Sequence, residues 1–359
     1  MSAPSETITW RLVVGSATGS RHEREGRPNQ DRSGAWAPDQ GSRVAGSDGE
    51  DSYVSPEAVA GPVVVAVADG HGSERYTRSA KGAELAVSSA IEVLSAAAEP
   101  LAERLRAEEA AGQDRVAAEV ARRIVEVWLS AVYADLEADP VDEGDPPEKA
   151  GGRPTTRASA KTVPYGTTLL ASLVHDGVFL AVQIGDGALV AVRELGDNVG
   201  ATEVEPTGED AEPPARAVAN VGARVFPASV GVGEETNSLC QPDSARFAQT
   251  HVSLSPPKLV MLVTDGFEKS FTDEAGFLAS ASDYLDYLEE PDGVATVTEN
   301  LGAWLSGTSA EGAGDDTSLA IAFASGRTVR SGPEPAASGG PARLLPSIKT
   351  LISRLSRGQ

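Results

Sequence analysis

The chain has 359 residues, a formal net charge of −23, 40% hydrophobic residues, 5% aromatics and one cysteine, Cys240. That suffices for a large core built mainly of Val, Leu, Ile and Ala; it excludes an internal disulfide framework or a cysteine-based zinc cluster and fits a reducing, cytoplasmic compartment. The acidic balance argues against a nucleic-acid surface, which needs clustered Lys and Arg, and no run reaches the roughly 20 apolar residues of an integral membrane segment. The N-terminus, MSAPSETITWRLVVGSATG, lacks the basic start and long apolar stretch of a signal peptide.

In chain order, residues 7–15 (TITWRLVVG) read as a strand and residues 63–68 (VVVAVA) as a buried strand. Residues 77–98 and 115–136 carry helical periodicity, with apolar residues recurring at three and four positions. Residues 165–174 and 178–192 form a strand pair turning at His175-Asp176-Gly177. Another strand, 258–264, ends in Asp265-Gly266; residues 273–289 and 293–305 read as helices, and 318–324 (SLAIAFA) as the last strand. Strands, two long helices, strands, helices and a final strand lack the regular alternation of a doubly wound sheet. They predict an α+β fold of antiparallel sheets covered by helices.

Residues 40–62, 139–164 and 196–217 are rich in Gly, Pro, Ser and acids and read as loops. From Gly326 a Gly/Pro/Ser linker leads to LLPSIKTLISRLSRGQ. Its apolar residues share one helical face and Arg343, Lys349, Arg354 and Arg357 carry its charge.

Acidic residues stand at strand ends. Asp69 and Asp265 each follow a nearly continuous apolar strand and precede a glycine, and Asp31 and Asp315-Asp316 flank other strands. An Asp at one strand end is ordinary turn chemistry. Carboxylates that converge at several strand ends repel one another, and a divalent cation relieves that repulsion. All-oxygen ligands favour hard ions such as Mg²⁺ or Mn²⁺. Gly70 lets a backbone carbonyl approach such an ion, and His71 sits where a general acid would be useful.

The motifs Asn29-Gln30-Asp31, Ala68-Asp69-Gly70-His71-Gly72, Tyr165-Gly166-Thr167-Thr168-Leu169, Ile184-Gly185-Asp186-Gly187, Val263-Thr264-Asp265-Gly266-Phe267 and Asp315-Asp316-Thr317-Ser318 follow one another in this order. In them the chain resembles the metal-dependent Ser/Thr protein phosphatases of type 2C (PPM), in their bacterial subgroup. The resemblance covers residues 7–325, which divides the chain into a catalytic domain, 1–325, and a linker with a basic amphipathic tail, 326–359. It implies a β-sandwich of two antiparallel sheets flanked by helix pairs, a four-layer αββα architecture with two Mn²⁺ or Mg²⁺ ions at one end. It further implies that Asp69 bridges the ions, with the Gly70 carbonyl, Asp265 and either Asp315 or Asp316, of which position favours Asp315, as direct ligands and Asp31 acting through water. A water bridging the ions would attack the phosphorus of phosphoserine or phosphothreonine, and His71 would protonate the departing oxygen.

The chain departs from that family's pattern in places. Gln30 replaces a usual Glu, and Lys269 replaces an acid four residues after Asp265. Asp186 is retained as a ligand for a third ion, although Lys269 argues against that site. Of Arg21, Arg24 and Arg27, Arg24 is favoured as the phosphate-binding residue; His22 lies nearby, and Arg32 reads as a surface charge. Thr167 and Thr168 read as packing residues. The expected partner is a phosphorylated protein, a Ser/Thr kinase or its target, and the tail helix is expected to dock on protein. The alternatives are a catalytically inactive relative that binds a phosphoprotein or kinase, and hydrolysis of a small phosphoester or of a sigma-regulator-type substrate.

Overall fold

The computed structural model describes residues 6–46, 52–140, 161–194, 220–228 and 236–329. It opens with β1 (Glu6–Ala17), a short helix α1 (Ser20–Glu25), β2 (Arg32–Ala37), β3 (Gly41–Ala45), β4 (Ser52–Val54) and β5 (Val63–Ala68). A helical hairpin follows, α2 (Ser79–Ala107) and α3 (Ala110–Ala138). Then come β6 (Leu169–His175), β7 (Val178–Ile184), β8 (Ala188–Glu194), β9 (Asn220–Arg224), β10 (Gln249–Ser253) and β11 (Leu259–Val263). The chain turns through α4 (Asp265–Glu268), α5 (Glu274–Leu288) and α6 (Gly293–Glu311) and ends on β12 (Thr317–Val329).

The strands form two six-stranded sheets, β4-β1-β12-β11-β8-β9 and β10-β7-β6-β5-β2-β3, and every pairing is antiparallel. The expected four-layer sandwich is what the chain adopts. α2 and α3 cover the second sheet, and α5 and α6 cover the first. The two central strands are buried on both faces, which is why they read as unbroken apolar runs. In β5, Val64, Ala66 and Ala68 face the helices, whereas Val63, Val65 and Val67 face the other sheet. In β11, Leu259, Met261 and Val263 face α5 and α6, and Val260 and Leu262 face inward. Burying each such Val or Leu is worth about 1.5–3 kcal/mol.

Several elements differ from the sequence expectation. Residues 40–62 are not simply a loop: β3 and β4 extend the two sheet edges, and Trp10 and Val59 form a further bridge. These strands are short and polar on one face, so they lack a periodic signal. The run 178–192 is two strands in different sheets, broken at Gly185-Asp186-Gly187, where both glycines have positive φ (100° and 86°). β12 continues to Val329 because β1 pairs with it along its length, as far as Glu6 opposite Val329, so the 325/326 boundary falls within a strand. α2 runs through Pro100 to Ala107, since Leu101, Ala102 and Leu105 are buried in the same core as α3 residues such as Val116. α2 is also long and apolar enough, by length and composition, to cross a membrane. Half of that apolar window is buried inside the protein, on Ala83, Ala86, Val87, Ile91 and Leu94 among others, which is the character of a core helix. The tail 330–359 and most of the loops 139–164 and 196–217 lie outside the described residues.

α2 docks closely on the turn that precedes β6. Trp128 Nε1 donates to the Gly82 carbonyl at 3.1 Å, and a Cβ on Gly82 would stand 2.1 Å from the Tyr165 carbonyl oxygen. Helix propensity alone favours Gly82→Ala by about 1 kcal/mol. We expect the reverse, a loss of about 1–3 kcal/mol from overpacking, measured by urea denaturation; a stabilised variant would show that α2 does not sit this close.

Candidate metal centre

Strand register brings the acidic residues to one end of the sandwich. Arg32 pairs with Ala68, so Asp31 and Asp69 lie beyond the same end of the second sheet. Val263 pairs with Leu319 and with Ala188, so Asp265, Asp316 and Asp186 lie beyond the matching end of the first. Asp186 occupies the crossing between β7 and β8, where the chain leaves one sheet for the other. Gln183, facing the interior on β7, donates through Nε2 to the carbonyls of Gly185 (3.1 Å) and Gly187 (3.3 Å), which braces that crossing.

Asp69, Asp186 and Asp265 each present a carboxylate oxygen within 4.8 Å of the others. The Asp69 peptide is clamped from both sides: its carbonyl accepts from Thr167 Oγ1 (2.8 Å) and Thr168 N (2.9 Å), and its N–H donates to Thr168 Oγ1 (3.0 Å). Thr167 and Thr168 therefore hold the backbone of Asp69 as well as packing the sheet. Gly70 bridges to Thr167, and a Cβ there would lie 2.7 Å from the Gln30 carbonyl oxygen and 2.8 Å from the Ser79 backbone, so only glycine fits.

Asp31 is buried, and Thr264 Oγ1 donates to its Oδ2 at 2.6 Å while accepting from Ser318 N at 3.0 Å. Burial pushes the Asp31 carboxyl well above the usual range, Asp316 adds to this, and the Thr264 hydrogen bond opposes it. Asp69 is likewise pushed well up, by burial first and then by Asp31, Asp265 and Asp186. Asp186 is raised by burial and by Asp265, against a 2.8 Å hydrogen bond from Thr236 and the charge of Lys269.

The two final acids divide their tasks. Asp316 is buried and accepts from Gly19 N (2.7 Å), Gln30 N (2.7 Å) and His22 Nδ1 (2.9 Å). It fastens the loop carrying Asp31 onto the start of β12. Asp315 is 40% exposed and takes an ion pair from Arg21 at 2.8 Å, with His22 Nε2 at 3.8 Å. Asp315 stands near enough to raise Asp31, but outside the Asp69–Asp186–Asp265 cluster.

The basic residues are placed otherwise than the spacing suggests. Arg24 is exposed on α1. Arg27 reaches the centre, donating through Nη2 to the Gly72 carbonyl (2.7 Å) and Gln30 Oε1 (3.2 Å). Arg32 is buried rather than a surface charge, because its Nη1 donates to the carbonyls of Asn29 (3.0 Å) and Asp31 (2.7 Å). His22 is buried as the partner of Asp316. His71 is partly buried, its ring centroid 4.7 Å from that of Tyr76, and its backbone N–H donates to the Gly166 carbonyl at 3.1 Å. Burial and then Arg75 lower His71 to about 4, while Asp265 opposes them. The amide of Gln183, in an otherwise apolar strand, was the one sequence sign of a bracing residue; nothing in the order of residues set Arg27 apart from Arg24.

Residues 43–306 match the family described as Protein phosphatase 2C. The chain belongs to the protein phosphatase 2C family. The match begins after Asp31 and ends before Asp315, and the strand register is what joins those two acids to the rest. Similar solved structures include the Mycobacterium tuberculosis serine/threonine phosphatase PstP/Ppp, 15% identical, with a TM-score of 0.44 and 88% of this chain and 99% of that one covered. The PstP catalytic domain in complex with 2 manganese ions is 16% identical, with a TM-score of 0.41 and the same coverage. The S. agalactiae serine/threonine phosphatase is 12% identical, with a TM-score of 0.46 and 88% and 99% covered. No curated protein matches the chain.

The raised carboxyls make a pH signature. A folded pKa above the unfolded one means that the folded state binds more protons between the two values, so stability falls as pH rises through that window. From these carboxyls we expect the EDTA-stripped protein to gain thermal stability as pH falls below neutral, a slope read as the difference from an Asp69→Asn variant because the lowered imidazole of His71 contributes with the opposite sign below about 6.5. Saturating Mn²⁺ should flatten or reverse that slope, because ligands bind as carboxylates. A metal-free difference of the opposite sign would contradict the reading of the cluster.

Proposed function

We propose that this phosphatase hydrolyses phosphoserine and phosphothreonine in proteins and depends on divalent cations, two Mn²⁺ or Mg²⁺ ions. The observation that carries the reading is the gathering of Asp69, Asp186 and Asp265 within 4.8 Å from strand ends of both sheets. Half-buried carboxylates at that spacing repel one another and are an all-oxygen donor set suited to hard cations. Asp31 and the Gly70 carbonyl adjoin them, and Asp315 completes the set if the Arg21 pair opens. When bound, the ions supply Lewis acidity, lowering the pKa of water and countering the phosphoryl charge.

The chain's own groups do the rest. Arg27, rather than the Arg24 favoured from spacing, offers a guanidinium beside Gly72, a fork suited to phosphate oxygens. His71 serves the departing Ser or Thr oxygen as proton donor. Burial and Arg75 hold its imidazole neutral in the free protein, and a phosphomonoester dianion favours the protonated form. The buried Cys240 thiol is raised by burial and has no part in the chemistry. The partner is a phosphoprotein, and a cytoplasmic setting suits a chain whose one cysteine is a free thiol.

Hydrolysis of p-nitrophenyl phosphate and of a phosphothreonine peptide, with Mn²⁺ and with EDTA, tests the reading. We expect Mn²⁺-dependent turnover that Asp265→Asn reduces to background. His71→Asn should lower kcat about 100-fold or more, the usual contribution of a general acid. Arg27→Ala should act chiefly on KM, and Arg24→Ala on neither constant. A chain that binds Mn²⁺ but turns over neither substrate would instead be a phosphoprotein-binding relative.

A further inference from the structure

One cation already touches the carboxylate cluster. Asp265 opens α4, a single turn, and Lys269 follows it by four residues, so the lysine side chain folds back along the turn. Its backbone N–H donates to the Asp265 carbonyl at 2.7 Å, and its Nζ pairs with Asp265 Oδ2. Among the described residues this is the one ion pair made by Asp69, Asp186 or Asp265. The two ends of the pair differ in setting: the Asp265 side chain is 16% exposed and that of Lys269 65% exposed. The ammonium therefore reaches in from solvent on a flexible four-carbon stem, and it can leave the same way.

We propose that Lys269 is a resident counter-cation of the Asp69–Asp186–Asp265 cluster, which steadies the metal-free protein and competes with divalent cations for Asp265. The inference rests on the metal-dependent reading above. Its physical basis is charge. Three carboxylates at this spacing repel one another, and a proton, an ammonium or a metal ion relieves that repulsion. An ammonium on Oδ2 supplies one unit without a metal, and the acid-before-lysine order at this spacing is the favourable one. A divalent cation that takes the same oxygen must displace the ammonium or bear its repulsion. Exchange is feasible because a lysine this exposed is held weakly. The chain thereby trades metal affinity for a site that does not spring apart when the metal leaves.

The test is Mn²⁺ binding by calorimetry together with thermal melting, on the full chain, for wild type, Lys269→Met and Lys269→Arg. Methionine keeps the length and removes the charge; arginine keeps the charge. We expect Lys269→Met to melt lower than wild type in EDTA yet to bind Mn²⁺ about two- to fivefold more tightly, or with one further equivalent, the scale of one partly exposed charge pair. Lys269→Arg should behave as wild type in both measurements. A lysine with only a packing role would lower the melting point without tightening Mn²⁺ binding. Equal Mn²⁺ affinity and stoichiometry in wild type and Lys269→Met would overturn the inference and leave the metal centre standing. Absence of Mn²⁺ binding in all three proteins would overturn the metal reading, and this inference with it.

Discussion

The structure turns on an unfavourable arrangement of like charges. Asp31, Asp69, Asp186, Asp265 and Asp316 all stand at one end of the sandwich, and the first three are raised by burial and by neighbouring carboxylates. No local preference would gather them. They are held by two hydrophobic layers and by antiparallel register, which fix where each strand stops. The core between the sheets, with Val65, Val67, Leu170, Leu262 and Ala320 fully buried, supplies the favourable free energy that the carboxylates oppose.

Around the acids lies a set of hydrogen bonds whose work is positional. Asp316 joins the loop of Gly19, His22 and Gln30 to β12 through its two oxygens. Thr264 links Asp31, at the end of one sheet, to Ser318, at the end of the other. Thr167 and Thr168 hold Asp69, and Gln183 holds the crossing that carries Asp186. Each is a buried polar group with a partner, so each raises the cost of letting a carboxylate drift. The result is a preorganised anionic mouth flanked by two groups of different character, Arg27 at Gly72 and His71 against Tyr76. Fixed positions matter in this chemistry, because a misplacement of about 1 Å at a reacting centre can cost on the order of 100-fold in rate.

The electrostatics of the mouth are also adjustable. Burial works against the charge of Lys269, but Asp265, Asp186 and Asp69 outweigh it and hold the ammonium above its ordinary value. Arg21 answers Asp315 in the same manner, at the more exposed side of the centre. Both are long side chains on short or exposed segments, unlike the clamped Asp31, Asp69 and Asp316. The centre thus combines braced acids with two cations that reach it from exposed side chains.

The sequence by itself determined the central strands, the helical hairpin, the acids that end β5 and β11, and the family, since each rests on a local signal: an unbroken apolar run, a helical period, or a short motif of Asp and Gly. The tertiary structure decided what local signals cannot carry. β3, β4 and β9 are edge strands, half exposed and without a clean period, and they exist because a neighbouring strand offers hydrogen bonds. The break at Gly185-Asp186-Gly187 interrupts no hydropathy pattern, since β7 and β8 are apolar on either side of it. Only the change of sheet makes Asp186 a neighbour of Asp69. Arg24 and Arg27 differ by one turn of chain in sequence but by burial and partner in space, and Asp315 and Asp316 differ in the same way. These choices depend on which residues meet from opposite ends of the chain, and contact between distant segments is a property of the packed sheets.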